Sequence, residues 1–239
     1  VKIFVRNIKT NIEEELIFSE EKVYDGGVSL IQKDRNTDLI HISYSTPKTQ
    51  SRVYLYNLKT KEKKLVKEQI IPSGHNPDNY IVERLDCDSH DGKKIPLTIV
   101  RNKKTKIDGN AKLLLYGYGS YGNSMSASFS SNKFSLIDRD IIWVTAHVRG
   151  GLERGMKWWK EGKLLNKKNT FKDYISVAKF LIEKKYSSKG KIIGMGGSAG
   201  GLLMGAVVNQ VPELFLGIIM AVPFVDSLTT NLDHSLPLT

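Results

Sequence analysis

The sequence predicts a doubly wound α/β domain preceded by a separate β-rich segment. Three observations carry that prediction. Residues 112–118, 141–148, 191–196 and 217–224 are apolar on both faces, a helical period lies between the second and third of these runs, and short β-rich runs alternating with polar turns fill the first 74 residues. Strands without apolar/polar alternation are buried on both faces, as in the centre of a mostly parallel sheet.

The elements follow in chain order. Residues 38–44, 52–57 and 63–66 are short β-rich runs, with a polar turn at 58–62 between the last two. No helical period of useful length accompanies them, and they are too few to close a barrel or sandwich. They read as about one blade and part of another from a larger β-propeller, or as a small self-contained sheet. From Tyr80 onward, residues 81–85 and 95–100 flank the turn Ser89-His90-Asp91-Gly92, which predicts an antiparallel hairpin. Phe171, Tyr174, Ile175, Ala178 and Ile182 then recur at helical spacing, with Thr170 as N-cap and Gly190 ahead of the next strand. The expected domains are therefore residues 1–74 and residues 75–239.

Composition limits the function classes. With 40% hydrophobic and 26% charged residues, the 239-residue chain has globular usage, and its longest apolar run, 214–225, is shorter than the ~18 residues of a membrane span. No membrane partner is expected. The first residues show neither a signal-peptide pattern nor an initiator methionine, so the start reads as an internal cut. The single cysteine, Cys87, excludes an internal disulfide framework and suits a reducing compartment. The net charge of +11 comes from scattered lysines without any helix-turn-helix, zinc-finger or RNP pattern, which describes a solvated surface and not a nucleic-acid partner. The histidines show no metal-ligand spacing, and neither a metal nor another cofactor is expected.

The chemistry concentrates at Gly196-Gly197-Ser198-Ala199-Gly200-Gly201, between an apolar strand and the helical run that starts at Leu202. This is a G-x-S-x-G nucleophile elbow in its required strand–turn–helix context, the signature of an α/β-hydrolase domain. Ser198 is the candidate nucleophile, and the Ala199 N–H is one oxyanion donor. Tyr116-Gly117-Tyr118-Gly119-Ser120-Tyr121-Gly122, at the end of the first apolar strand, is either the source of the second donor or a glycine-rich turn with packed tyrosines. A serine needs a general base oriented by a carboxylate, in the chain order Ser, acid, His. Only Glu213, Asp226, Asp233 and His234 follow it. A local Ser198–Asp226–His234 triad leaves no room for the strands that usually carry the histidine, so His234 reads as a surface residue. His147 precedes the serine, in the wrong order for a base, and reads as packed.

Five blocks together resemble the prolyl oligopeptidase family: the Tyr116–Gly122 block above, Ala146-His147-Val148-Arg149-Gly150-Gly151, Lys167-Lys168-Asn169-Thr170-Phe171-Lys172-Asp173-Tyr174, the elbow, and Val222-Pro223-Phe224-Val225-Asp226. The serine followed by Ala199-Gly200-Gly201, and the tail from Thr229 to Thr239, look like its oligopeptidase B (protease II) branch. The resemblance implies a cytoplasmic serine peptidase in which a β-propeller caps an α/β-hydrolase domain and admits short peptides. It makes Ser198 the nucleophile and the Tyr118 hydroxyl the oxyanion donor that joins Ala199. It implies cleavage after Lys or Arg, although Ser126 and Ser128 stand where that branch often carries acidic residues. The family's catalytic Asp and His correspond to positions beyond Thr239. The expectation is thus an incomplete α/β-hydrolase domain preceded by part of a propeller, inactive because the triad Asp and His are absent, with the missing propeller and C-terminal segments of the parent protein as its partners. An esterase and a non-catalytic remnant are the competing readings.

Overall fold

In the computed structural model, residues 3–16, 23–30 and 37–236 are described. The end of the tail block, Pro237-Leu238-Thr239, lies outside them. The chain divides into two compact units, residues 1–82 with 126–135, and residues 83–125 with 136–239. The division falls inside a strand, at Val82/Glu83. Residues 126–135 also cluster with the first unit and not the second.

The first unit holds two antiparallel sheets. Strands β1 (Phe4–Arg6) and β2 (Glu13–Glu15) form a pair, and β3 (Asp25–Leu30), β4 (Leu39–Ser45), β5 (Arg52–Asn57) and β6 (Lys63–Glu68) form a four-stranded meander in chain order. That is the form of one propeller blade. Ile40, Ile42 and Tyr44 alternate along β4 and are buried, as a period of two requires. The predicted turn between β5 and β6 closes because the Asn57 side chain accepts the N–H groups of Lys59 and Thr60.

In the second unit a six-stranded sheet runs in the order β12-β11-β9-β10-β8-β7. Its strands are β7 (Tyr80–Asp88), β8 (Lys94–Asn102), β9 (Leu113–Gly117), β10 (Ile142–Ala146), β11 (Ile192–Gly197) and β12 (Phe215–Ala221). β9, β10, β11 and β12 are mutually parallel, and β8 runs antiparallel to β10. The chain passes from β9 to β10 on one side and returns to place β11 on the other side of β9. This makes the carboxyl ends of β9 and β11 a topological switch point, where ligands bind in such sheets.

Helices α1 (Ser131–Ile137) and α2 (Met156–Lys160) are too short to have shown a period; α3 (Lys168–Glu183), α4 (Ala199–Gln210) and α5 (Ser227–Leu232) follow. Tyr174, Val177, Ala178 and Leu181 of α3 join Leu203, Met204 and Val207 of α4 and the strand residues in one core. One expectation is corrected here. Thr170 is not the N-cap of α3, which starts at Lys168; its hydroxyl is drawn inward to donate to the carbonyls of Arg149 and Gly162. The last apolar run forms β12, the outer strand of the described sheet, with Leu216, Ile219 and Met220 exposed.

A buried ion cluster ties the unit together. Arg149 is fully buried, and its Nε and Nη2 donate to the two oxygens of the equally buried Asp173 at 2.8 and 2.5 Å. Its Nη1 donates to Asp91 at 2.6 Å, Nη2 reaches Ser89 Oγ, and its backbone N–H donates to Asp173. The Trp158 ring covers the guanidinium, with its centroid 5.7 Å from Cζ. Burial alone opposes the charge, but the hydrogen bonds to Asp173 and Asp91 outweigh it and hold Arg149 protonated. For Asp91, burial likewise acts upward, yet the bonds from Arg149 leave the carboxyl below its usual range. Its contribution to stability is therefore complete above the ordinary value of ~3.9 and is lost as pH falls through the lowered one.

Breaking a buried pair leaves an uncompensated charge, so Asp173→Asn should cost about 3–5 kcal/mol. Asp91, about a third exposed, should cost well under half of that on conversion to Asn. Urea midpoints of the full-length protein measure both, and equal losses would contradict the central place given to Asp173.

Candidate active site

The elbow is built by close approach. Adjacent strands β9 and β11 pair Tyr116 with Met195, so the chain leaves both at the same rim of the sheet. At Gly196, a Cβ would stand 2.2 Å from the Gly200 carbonyl oxygen; at Gly200 it would stand 2.8 Å from that of Gly117. Strand end, helix start and neighbouring strand are thus in backbone contact, which only glycine permits. Ser198 takes φ 54° and ψ −118°, a strained conformation for a non-glycine residue.

Backbone bonds hold that strain in place. The Ser198 N–H donates to the Ala221 carbonyl at the end of β12, and the Ser198 carbonyl accepts from Gly201 and Phe224. Its side chain makes no cap on α4, and the residue is exposed. Ala199 opens the helix, and its N–H is among those an α-helix leaves without an internal acceptor. Developing negative charge beside Ser198 would meet this donor and the positive end of α4.

Tyr118 follows β9 directly and lies against the first turn of α4. A Cβ on Gly200 would be 3.3 Å from its ring and 3.4 Å from its Cα. The three residues singled out in the sequence, Ser198, Ala199 and Tyr118, therefore come together at the switch point. The Tyr118 turn is held from behind: the Gly122 N–H donates to the Gly150 carbonyl, and Lys167 Nζ donates to the Gly119 carbonyl at 2.5 Å and to Ser120 Oγ at 2.7 Å. Burial pulls the Lys167 ammonium down to about 8. Sequence reasoning missed Lys167, as it missed the assembly of Ser89, Asp91, Arg149 and Asp173. Each sat in a quoted motif, and nothing in the local pattern named its partner.

The other candidates have their own partners. His147 is buried; Nε2 meets Thr98 Oγ1 and Arg84 Nη1 at 2.8 and 2.7 Å, and Nδ1 meets Glu153 at 3.3 Å. Because a guanidinium only donates, Nε2 accepts and the proton lies on Nδ1, toward Glu153. Its ring is thus occupied on both sides. Asp226 caps α5 by accepting the Thr229 N–H, and His234 is exposed in a turn; among the described residues no hydrogen bond links either to Ser198. Ser126 donates to Asp25 at 2.7 Å, which sets a carboxylate beside that hydroxyl. The Cys87 thiol is pushed up to about 12, mainly by burial, and is unreactive. No group of three or more His, Cys, Asp or Glu able to hold a metal occurs among the described residues.

Comparison with known proteins agrees with this geometry. Residues 127–239 match the profile of the prolyl oligopeptidase family. The chain is 43% identical over 236 residues to dipeptidyl aminopeptidase BI of Pseudoxanthomonas mexicana, covering 98% of this chain and 32% of that protein. It is 40% identical to protease 2 of Moraxella lacunata, covering 95% and 33%. Among solved structures, oligopeptidase B from Trypanosoma brucei with covalently bound antipain superposes with a TM-score of 0.89 at 35% identity, over 100% of this chain and 34% of that one. Oligopeptidase B from Leishmania major gives 0.86 at the same identity and coverage. The chain thus spans about a third of the length of the relatives it matches.

The backbone contact at Gly196 leaves no room for a methyl group. Gly196→Ala in the full-length protein should lower the rate of fluorophosphonate labelling at Ser198 by about 10²-fold, the usual effect of misplacing a reacting group by an ångström. Gly205→Ala, whose Cβ would meet only a methyl of Val225 at 3.2 Å, is the control and should label near the normal rate. Equal rates in the two variants would show that the elbow does not depend on that contact.

Proposed function

Because this chain belongs to the prolyl oligopeptidase family, of whose members it spans about a third, we propose that it carries the nucleophile and oxyanion donors of a serine peptidase acting on short peptides. The observation that carries the reading is the strained Ser198, exposed at the switch point, followed by the Ala199 N–H and by Gly200, against which Tyr118 packs.

The residues act in sequence. A peptide carbonyl lies over the elbow, and Ser198 Oγ attacks it while a general base takes the hydroxyl proton. The carbonyl electron pair moves onto oxygen, which the Ala199 N–H and the Tyr118 hydroxyl receive by hydrogen bonds. Collapse of this intermediate expels the amine, which takes the proton from the base, and leaves an acyl group on Ser198. Water then repeats the cycle to release the acid. The base and its orienting carboxylate come, on this reading, from parts of the longer protein outside these residues. Cleavage after Lys or Arg is proposed from the likeness to oligopeptidase B, and a cytoplasmic setting from cysteine usage.

A second reading has its own support. The relative at 43% identity is a dipeptidyl aminopeptidase, and removal of dipeptides from a free amino terminus is an alternative to internal cleavage.

Full-length protein should be labelled by a fluorophosphonate at Ser198, and Tyr118→Phe should lower kcat by about 10²-fold or more, the cost of one lost oxyanion donor. Labelling at a different serine, or an unchanged kcat, would remove the respective role.

Matched Lys- or Arg-containing amide reporters, one with a free and one with an acylated amino terminus, separate the two readings. Endopeptidase action turns over both within a few-fold; a strict need for the free amine would establish the dipeptidyl reading instead.

A further inference from the structure

An ammonium group is strongly hydrated, and drawing it among protein atoms costs free energy unless a carboxylate or several acceptors replace the water. Lys167, at the N-cap of α3, departs from the usual solution. It is half-buried, it has no acidic partner among the described residues, and its Nζ is directed at two neutral oxygens of one turn, the Gly119 carbonyl at 2.5 Å and Ser120 Oγ at 2.7 Å. The downward pull on its ammonium has burial as its one cause.

The location of that turn gives the contact its meaning. Gly119 and Ser120 immediately follow Tyr118, and among the described residues the hydrogen bonds tying residues 118–121 to another element both come from Lys167. The turn is also pressed against the start of α3: at Gly119, where φ is +67°, a Cβ would stand 2.4 Å from Thr170 and 2.9 Å from the Arg149 carbonyl oxygen. A tyrosine hydroxyl donates usefully only from within a few tenths of an ångström of the right place, so the peptide after Tyr118 has to be fixed.

We propose that Lys167 is a positioning residue for the oxyanion donor: its ammonium clamps the Gly119–Ser120 peptide and thereby sets where the Tyr118 hydroxyl points as charge develops on the substrate carbonyl. This rests on the assignment of Ser198 and Tyr118 above and extends it by one residue. Lys167 touches no reacting atom and acts through Tyr118.

A double-mutant cycle in the full-length protein tests it. Lys167→Met keeps the apolar stem and removes the donors; it should lower kcat on an amide reporter by about tenfold while KM moves less than about twofold, the pattern of an interaction made in the transition state. In a Tyr118→Phe background the same substitution should lower kcat by less than about twofold, since nothing remains for the clamp to aim. A tenfold loss in both backgrounds would show that Lys167 merely supports the fold and would overturn the proposal, as would an unchanged kcat in the single variant. If Tyr118→Phe alone leaves kcat unchanged, the oxyanion assignment fails and the proposal with it, a result distinct from failure of the clamp. If Lys167→Met does not fold, Ser120→Ala takes its place in the cycle; it removes one of the two acceptors, and the loss should be about threefold and equally non-additive.

Discussion

A single guanidinium holds the segments behind the candidate site. Arg149 engages Asp173 through two nitrogens, Asp91 through two more bonds and Ser89 through another, joining the β7–β8 turn, the segment after β10 and helix α3. Its neighbours then carry the constraint outward. The Arg149 carbonyl accepts from Thr170, and the Gly150 carbonyl accepts from Gly122 at the end of the Tyr118 turn. A buried ion pair of this kind is weak evidence of net stability, because desolvation offsets much of the attraction. What it fixes is geometry: planar, bidentate pairing tolerates little displacement, and the Tyr118 turn is one bonded step away.

The elbow itself is held by different means. Its strain is backbone strain at Ser198, and it persists because bonds to Ala221, Gly201 and Phe224 leave the main chain no alternative. The strain and the helix start are one device, since the turn that exposes the hydroxyl also presents the first amides of α4. Tyr118 belongs to the same arrangement through its contact with Gly200, and through Lys167 it is linked to α3. One strand rim, two helix starts and one buried arginine thus converge on a volume a few residues across.

Some features were legible in the sequence and some were not, for a consistent reason. β5 was found at its full extent, and the hairpin around Ser89-His90-Asp91-Gly92 was placed, because alternation and turn residues act over a few positions. The start of α3 was misjudged because Thr170 looks like a cap while its hydroxyl serves a carbonyl in another segment. β12 is apolar on both faces, and its Leu216, Ile219 and Met220 are exposed because, among the described residues, no strand pairs with its outer side.

The sequence by itself determined the elbow and the strands and helices that frame it. Those features follow from steric limits on neighbouring residues and from periods of two and 3.6 along the chain, and both are local. Only the tertiary structure decided that Asp91 and Asp173 share Arg149, that Thr98, Arg84 and Glu153 occupy His147, and that Lys167 grips the turn after Tyr118. These partners lie from six to 63 residues apart, with 48 between Lys167 and Gly119. Hydrogen bonds and ion pairs depend on distances in space, and at such separations the path of the chain through the fold, not the spacing of its residues, sets those distances.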